Sequence, residues 1–295
     1  MQRYACDRCG KSFKEAQPLD GVRIDAKQAE QVIHMLVEGV GIRAISRLTN
    51  LNHVTVLNIL ETAGEHCARL LDSKIRNVNA SLVQVDEMHG FVFSKKQNTL
   101  RGDPLHGEFF TYLSVDMSSK LIINWRTSKR DGENTTAFLR DLKSRMADRF
   151  QLTTDAFTGY WQGGGAVRQV FGSEIDYATE KKYFGTASGR ANFQFNTLKV
   201  KSIKRVRQIG NPEMSLATTC HAERMNLSVR LFNRRFTRKT LGYSKKLENL
   251  RHSVAIFAAH FNFCRVHSAH GRTPAQAASL TDHTWTIGEL LSAKA

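Results

Sequence analysis

Asp86, Asp155 and Glu223 are the residues of this chain whose surroundings ask for chemistry. Asp86 lies inside the apolar run Ser81-Leu-Val-Gln-Val-Asp-Glu-Met, and Asp155 closes a second strand-like run, Phe150-Gln-Leu-Thr-Thr-Asp. Glu223 opens a long helical pattern, and Arg230 follows on the same face, almost two turns of about 3.6 residues further on. An acid buried in a strand is costly unless something pairs with it, so two such acids ask for a cation. Carboxylates meeting at one point make an oxygen cage suited to Mg²⁺ or Mn²⁺. Such ions serve in-line displacement at phosphorus, so the pattern points to phosphodiester chemistry on DNA. Singly, Asp155 reads equally as a strand-end cap and Glu223 as a first-turn acid favoured by the helix dipole. Their joint order favours a shared site.

The neighbours of these acids divide by geometry. Alternation along a strand puts Glu87 on the face opposite Asp86, which excludes it from the metal set. Arg230 is placed to contact a DNA phosphate, and Asn226, one helical turn after Glu223, is a second candidate. Asp116 and Asp176 are the reserve candidates for the second acid. No Ser-His-Asp or Cys-His arrangement stands out, so no protein nucleophile is expected.

Composition points to the same partner. Forty-three Lys and Arg against 27 Asp and Glu give a formal charge of +16. That is a statement about partners, not fold. From Lys199 to Arg251 there are fourteen basic residues and three acidic ones, and the run surrounds Glu223. A basic stretch there suits contact with a DNA backbone. Five scattered cysteines make no disulfide framework, no run reaches the roughly 20 apolar residues of a membrane span, and Cys6, Asp7, Arg8 and Lys11 interrupt any signal-peptide core. The expected location is cytoplasmic, associated with the nucleoid.

The elements that must position the acids are legible in the hydrophobic pattern. Residues 1–20 carry one Cys-x-x-Cys, Cys6 and Cys9, which is half of a tetrahedral Zn²⁺ site or a degenerate finger. Residues 21–72 show three helical stretches with a tight turn, Thr49-Asn-Leu-Asn, before the last. This matches a helix-turn-helix whose groove-facing residues would be His53, Thr55 and Asn58. A linker follows at about 73–80. Strands are expected over Leu82–Phe93, Phe109–Met117 and Leu121–Thr127, then a helix over Glu133–Phe150 and the strand ending at Asp155. Three antiparallel strands and a crossover helix into a fourth strand beside the first is the ribonuclease-H-like order, and it makes Asp86 and Asp155 neighbours. The fold class expected is therefore α/β: a ribonuclease-H-like catalytic domain (81–278) preceded by an all-α helix-turn-helix domain. Residues of about 164–215 read as an insertion, with short strands at Tyr177, Phe193–Phe195 and Lys199–Ile203. Leu227 and Leu231 form an apolar row with Glu223, a last long helix runs from Lys245 to Phe263, and 279–295 is a tail.

Several of these segments resemble a known family. Val85-Asp-Glu-Met-His-Gly-Phe-Val-Phe-Ser-Lys-Lys is similar to the first-aspartate motif of bacterial DDE transposases of the first-described insertion-sequence group. His221-Ala-Glu-Arg-Met-Asn-Leu-Ser-Val-Arg, continuing through Arg234-Arg-Phe-Thr-Arg-Lys239 and Ser244-Lys-Lys-Leu-Glu-Asn, resembles that family's third-acid helix. Phe261-Asn-Phe-Cys-Arg-Val-His and Thr273-Pro-Ala resemble a segment common among DDE transposases and integrases. The resemblance implies catalysis by Asp86, Asp155 and Glu223 through two Mg²⁺ or Mn²⁺ ions, with Arg230, Asn226, Arg234, Arg235 and Lys239 on DNA. It further implies binding of the element's terminal repeats and of target DNA as a homodimer or higher oligomer, and 3′-end cleavage with strand transfer. The chain departs from the family in having one Cys-x-x-Cys where two are common, and in a longer interval from Asp155 to Glu223. The alternatives are a DNA-binding regulator or domesticated transposase without strand transfer, and a nuclease of the same fold that only hydrolyses.

Overall fold

The structure is a computed structural model that describes residues 3–14, 24–100, 102–185 and 199–294. A two-stranded hairpin, β1 (Arg3–Ala5) and β2 (Ser12–Lys14), precedes three helices: α1 (Ala26–Val37), α2 (Ile42–Thr49) and α3 (His53–Lys74). Asn50 ends α2 in the left-handed region at φ 56°, and Asn52 caps α3 by accepting from the Val54 N–H at 2.9 Å. The tight turn therefore lies where the sequence places it. The third helix is longer than a helix-turn-helix needs. Its buried face, Val56, Ile59, Leu60, Ala63, Cys67, Leu70 and Leu71, recurs at helical spacing through residue 71. That face packs on α8 (Leu247–Phe263) so closely that a Cβ on Gly64 would lie 2.7 Å from the His252 Cα.

A six-stranded mixed sheet forms the rest of the core, in the order β5-β4-β3-β6-β7-β8. Its strands are β3 (Leu82–Val92), β4 (Gly107–Asp116), β5 (Ile122–Ser128), β6 (Gln151–Asp155), β7 (Asp176–Gly185) and β8 (Lys199–Ile209). β3, β4 and β5 form the expected antiparallel meander, and α4 (Gly132–Arg145) crosses over to put β6 parallel beside β3. This mixed α/β arrangement is compatible with the ribonuclease-H-like order. The segment expected as an insertion instead extends the sheet. After α5 (Thr158–Trp161) and α6 (Ala166–Phe171), β7 runs parallel to β6 and β8 closes the edge antiparallel. Phe193–Phe195 lies outside the described residues.

α7 (Cys220–Phe232) packs on β3 and β4, and two short helices, α9 (Pro274–Ala277) and α10 (Ile287–Ser292), close the chain's end against α8, α1 and α3. One apolar cluster runs from Val32 through the sheet to Leu291, so the three N-terminal helices share their core with the sheet. No helix among the described residues is long and apolar enough to cross a membrane.

Candidate metal centre

β3 and β6 pair in register from Leu82 opposite Gln151 to Val85 opposite Thr154, and β6 ends at Asp155. Beyond Val85 that edge of β3 is open. The ligand oxygens of Asp86, Glu87 and Asp155 meet there within 4.8 Å of one another, the one such grouping found among the described residues. Asp86 accepts from Asn226 Nδ2 of α7 at 2.8 Å, while Glu87 accepts from the Tyr160 hydroxyl of α5 and from Arg130 Nη2 at 2.7 Å. Alternation thus holds, yet it does not separate the carboxylates, because the longer Glu87 side chain reaches the same open edge. Glu87 belongs to the cluster, which corrects its exclusion on strand alternation.

Electrostatics records the crowding. Burial, then the Asp155 carboxylate, pushes Asp86 up to about 6. The same two causes push Glu87 up to about 7, with the Arg130 guanidinium acting against them. Arg130 also lies 3.7 Å from the nearer Asp155 oxygen and stacks over the Phe157 ring at 3.7 Å. One guanidinium cannot neutralise three carboxylates. Three carboxylates crowded at one strand edge, beside a buried Asn226 whose Oδ1 has no hydrogen-bond partner, fit a hard divalent cation.

Glu223 lines the same cleft, of about 490 Å³, together with Asp86, Asp155 and Glu180. Its half-exposed carboxylate lies outside the three-acid grouping and accepts from Thr219 Oγ1 at 2.8 Å and from the Lys182 ammonium. It still adds to the upward push on Asp86. Thr219 Oγ1 donates towards Glu180 and Glu223 and accepts from no N–H of α7. Gln84 of β3 caps the helix instead, its Oε1 accepting from the His221 and Ala222 N–H groups at 2.8 and 3.1 Å. The strand that carries Asp86 therefore also anchors the helix that carries Glu223.

Three further acids are held by other protein groups. Burial would raise Glu180, but the Thr219 N–H, Arg205 and Lys182 outweigh it and hold the group low. Asp116 caps the turn after β4 through the Ser118 and Ser119 N–H groups, and Asp176 pairs with Arg149 at 2.8 Å. Neither reserve candidate is in the cluster.

The DNA-facing set divides in the structure. Arg230 is half-buried and close enough for the Asp86 charge to oppose the lowering that burial causes. Asn226, expected on DNA, is 3% exposed and committed to Asp86, so it orients an acid instead. Arg234 and Lys239 are exposed. Arg235 is turned inward: Nη1 donates to Ser244 Oγ at 3.0 Å, Nη2 is buried without a partner, and burial lowers its pKa to about 10. The Leu227–Leu231 row is exposed rather than packed. His53 and Asn58 are exposed and face Tyr243 and Lys245 across a cleft, and Thr55 is half-buried. Cys6 and Cys9 flank the turn of the β1–β2 hairpin, where the Arg8 backbone N–H and Cys9 hold the Cys6 thiol below its usual range.

Arg130, Glu180 and Lys182 carry no signal in the sequence pattern. Arg130 sits in a polar loop, and Glu180 and Lys182 fall in the segment that reads as an insertion. What brings them to the site is tertiary.

A scan against protein-family models and a search among curated proteins found no match. Among solved structures the chain is similar to one in a simian T-cell lymphotropic virus intasome complexed with PP2A regulatory subunit B56 gamma. The two are 16% identical, over 85% of this chain and 74% of that one, at a TM-score of 0.38. It is also similar to the piggyBac transposase synaptic complex with hairpin DNA (9% identical, 91% and 70% covered, TM-score 0.42) and to the Mos1 strand transfer complex (14%, 55% and 59%, TM-score 0.21). At such scores a likeness carries no weight for function, which has to be read from the site.

Proposed function

We propose that this protein is a metal-dependent DNA transposase that cuts at the ends of a mobile element and joins the freed 3′-hydroxyl to target DNA. The observation that carries this reading is the meeting of Asp86, Glu87 and Asp155 at one open strand edge, with Glu223 across the same cleft. Asp86, Asp155 and Glu87 would hold divalent ions, Mg²⁺ or Mn²⁺, and Glu223 would close the cage once released by Lys182. Bound there, such ions supply activation of a water or 3′-hydroxyl and stabilisation of the leaving 3′-oxygen. The protein's own part is positioning. Asn226 orients Asp86, Arg130 keeps Glu87 and Asp155 together, and Arg230 is placed for the phosphate of the strand being cut.

The basic stretch from Lys199 to Arg251 would supply backbone affinity, and α2–α3 would read the element's ends as a helix-turn-helix, through His53, Thr55 and Asn58. Cys6 and Cys9 would hold half of a Zn²⁺ site. Action on paired ends implies a dimer or larger assembly on DNA, in the cytoplasm with the nucleoid.

The test uses purified full-length protein, Mg²⁺ or Mn²⁺, and a plasmid carrying the DNA that flanks the gene. Nicking at a fixed position followed by joined products is expected, with Asp86→Asn and Asp155→Asn each lowering both by about 100-fold or more. Nicking without joining would favour the hydrolytic nuclease. Specific binding with no cleavage under any metal would favour a regulator.

A further inference from the structure

A second cleft, of about 690 Å³, opens between the far end of β3 and residues 234–245. Its volume lies within the about 300–1,000 Å³ of sites that take small ligands. Phe91, Phe93 and Tyr243 line it with Lys95, Arg235 and Lys239, and its lining contains no Asp or Glu.

The cleft is built rather than incidental. The Phe93 N–H donates to the Ser244 carbonyl at 2.9 Å, and Val92 bridges Ser244, so the strand end is tied to the opposite wall. Phe91 packs against Tyr243 with centroids 4.6 Å apart, and Lys245 sits 3.4 Å over the Tyr243 ring. Two residues that strongly prefer negative φ are held in the left-handed region here, Phe93 at 62° and Lys239 at 56°. Neither is Gly or Asn, and Phe93 nonetheless keeps 57% of its surface exposed. Its ring touches His106, centroids 4.9 Å apart, and the rest of it is presented to solvent from a strained backbone. Arg235 adds a buried Nη2 that lacks an acceptor.

An exposed ring beside exposed cations is the pairing that takes a single-stranded nucleotide: the ring face stacks on the base, and the cations take the phosphate. We infer that this cleft binds one unstacked nucleotide of a DNA strand. The base stacks on Phe93, and its phosphate pairs with the exposed Lys95 and Lys239. The inference deepens the DNA reading above but does not depend on cleavage, since this cleft shares no lining residue with the acidic cluster.

The test is fluorescence anisotropy of the full-length protein in EDTA with two labelled duplexes of one sequence, one blunt and one with a three-nucleotide 3′ extension. Phe93→Gly is the informative variant because glycine accepts a positive φ at no steric cost, so its melting temperature should hold or rise. Binding of the extended duplex should weaken about tenfold or more, the usual loss on removing a stacking ring, while blunt-duplex binding stays within twofold. Equal loss on both duplexes, or no loss on either, overturns the proposal. So does competition by poly-glutamate as strong as that by oligo-dT, which would assign the cleft to an acidic peptide. The assay reads binding in EDTA, so a protein that never cleaves can still pass or fail the test.

Discussion

At the residue scale, the sequence singles out Asp86, Asp155 and Glu223 by their joint order, and the fold brings Asp86 and Asp155 to one strand edge with Glu223 lining the same cleft. The groups that tune them carry no such signal. Glu87 is reached by Arg130 from 43 residues away and by Tyr160 from 73, and no spacing rule links such positions. Glu87 escapes the sequence pattern because alternation describes faces, whereas the cluster forms at an edge. Glu87→Gln should therefore lower cleavage by about tenfold or more and shrink the rise in melting temperature produced by Mn²⁺, both measurable by gel assay and calorimetry. A substitution without effect would return Glu87 to a purely structural role. Protons compete with the metal for this site, so Mn²⁺ affinity should climb between about pH 5.5 and 8 as Asp86 (about 6) and Glu87 (about 7) lose theirs. The sign reverses for the metal-free protein. Both folded-state values lie above the ordinary carboxylate range, so stability from the neutral acids is present at low pH and lost as pH rises through 6 to 7. Asp86→Asn should accordingly raise the metal-free melting temperature at pH 8 and leave it nearly unchanged at pH 4.

At the element scale, β3 to β6, α4 and α8 follow the hydrophobic pattern, since each buries a regular face, whereas α7 buries Met225 and Val229 and leaves its Leu227–Leu231 row exposed. β7 and β8 read only as short strands of an insertion, around Tyr177 and over Lys199–Ile203, and not as members of the sheet. β8 is a charged edge strand in which Val200, Ile203 and Val206 are interspersed among Lys and Arg and stay 37–47% exposed. Edge strands guarded by charge look like loops to a pattern that searches for burial. The docking of α7 is equally hidden, because its cap comes from a strand more than a hundred residues earlier. Gln84→Leu keeps the side chain's bulk but removes the acceptor for two helix N–H groups. It should cost about 1–2 kcal/mol in chemical denaturation. Because α7 carries Glu223 and Asn226, cleavage should fall further than stability accounts for at temperatures where the variant is fully folded. A loss of stability with normal cleavage would show that α7 does not need this anchor to place its acid.

At the scale of the whole molecule, the charge of +16 is readable as a statement about partners, but the relation between helices and sheet is not. A boundary near residue 72 falls inside the last turn of α3, because a helix that starts like a DNA reader continues as a core element. Its periodicity is visible through Leu71, but nothing in it names α8 as the surface it would cover. The contact rests on Gly64, which lets α3 lie against the backbone of His252. An alanine there would place its Cβ 2.7 Å from the His252 Cα and closer still to its Cβ, and neither atom can swing away. On an isolated helix Gly→Ala gains about 1 kcal/mol. Here the two helices must separate along a seam of otherwise buried apolar residues, and forcing extra bulk into a packed core costs about 1–3 kcal/mol or more. Gly64→Ala should therefore lower the melting temperature despite the better helix former, and, under the proposed function, lower cleavage and end binding together, because α3 would read the ends while packing on the core. A melting temperature at or above wild type would mean that α3 and α8 shift freely, and that the N-terminal helices are mechanically independent of the sheet.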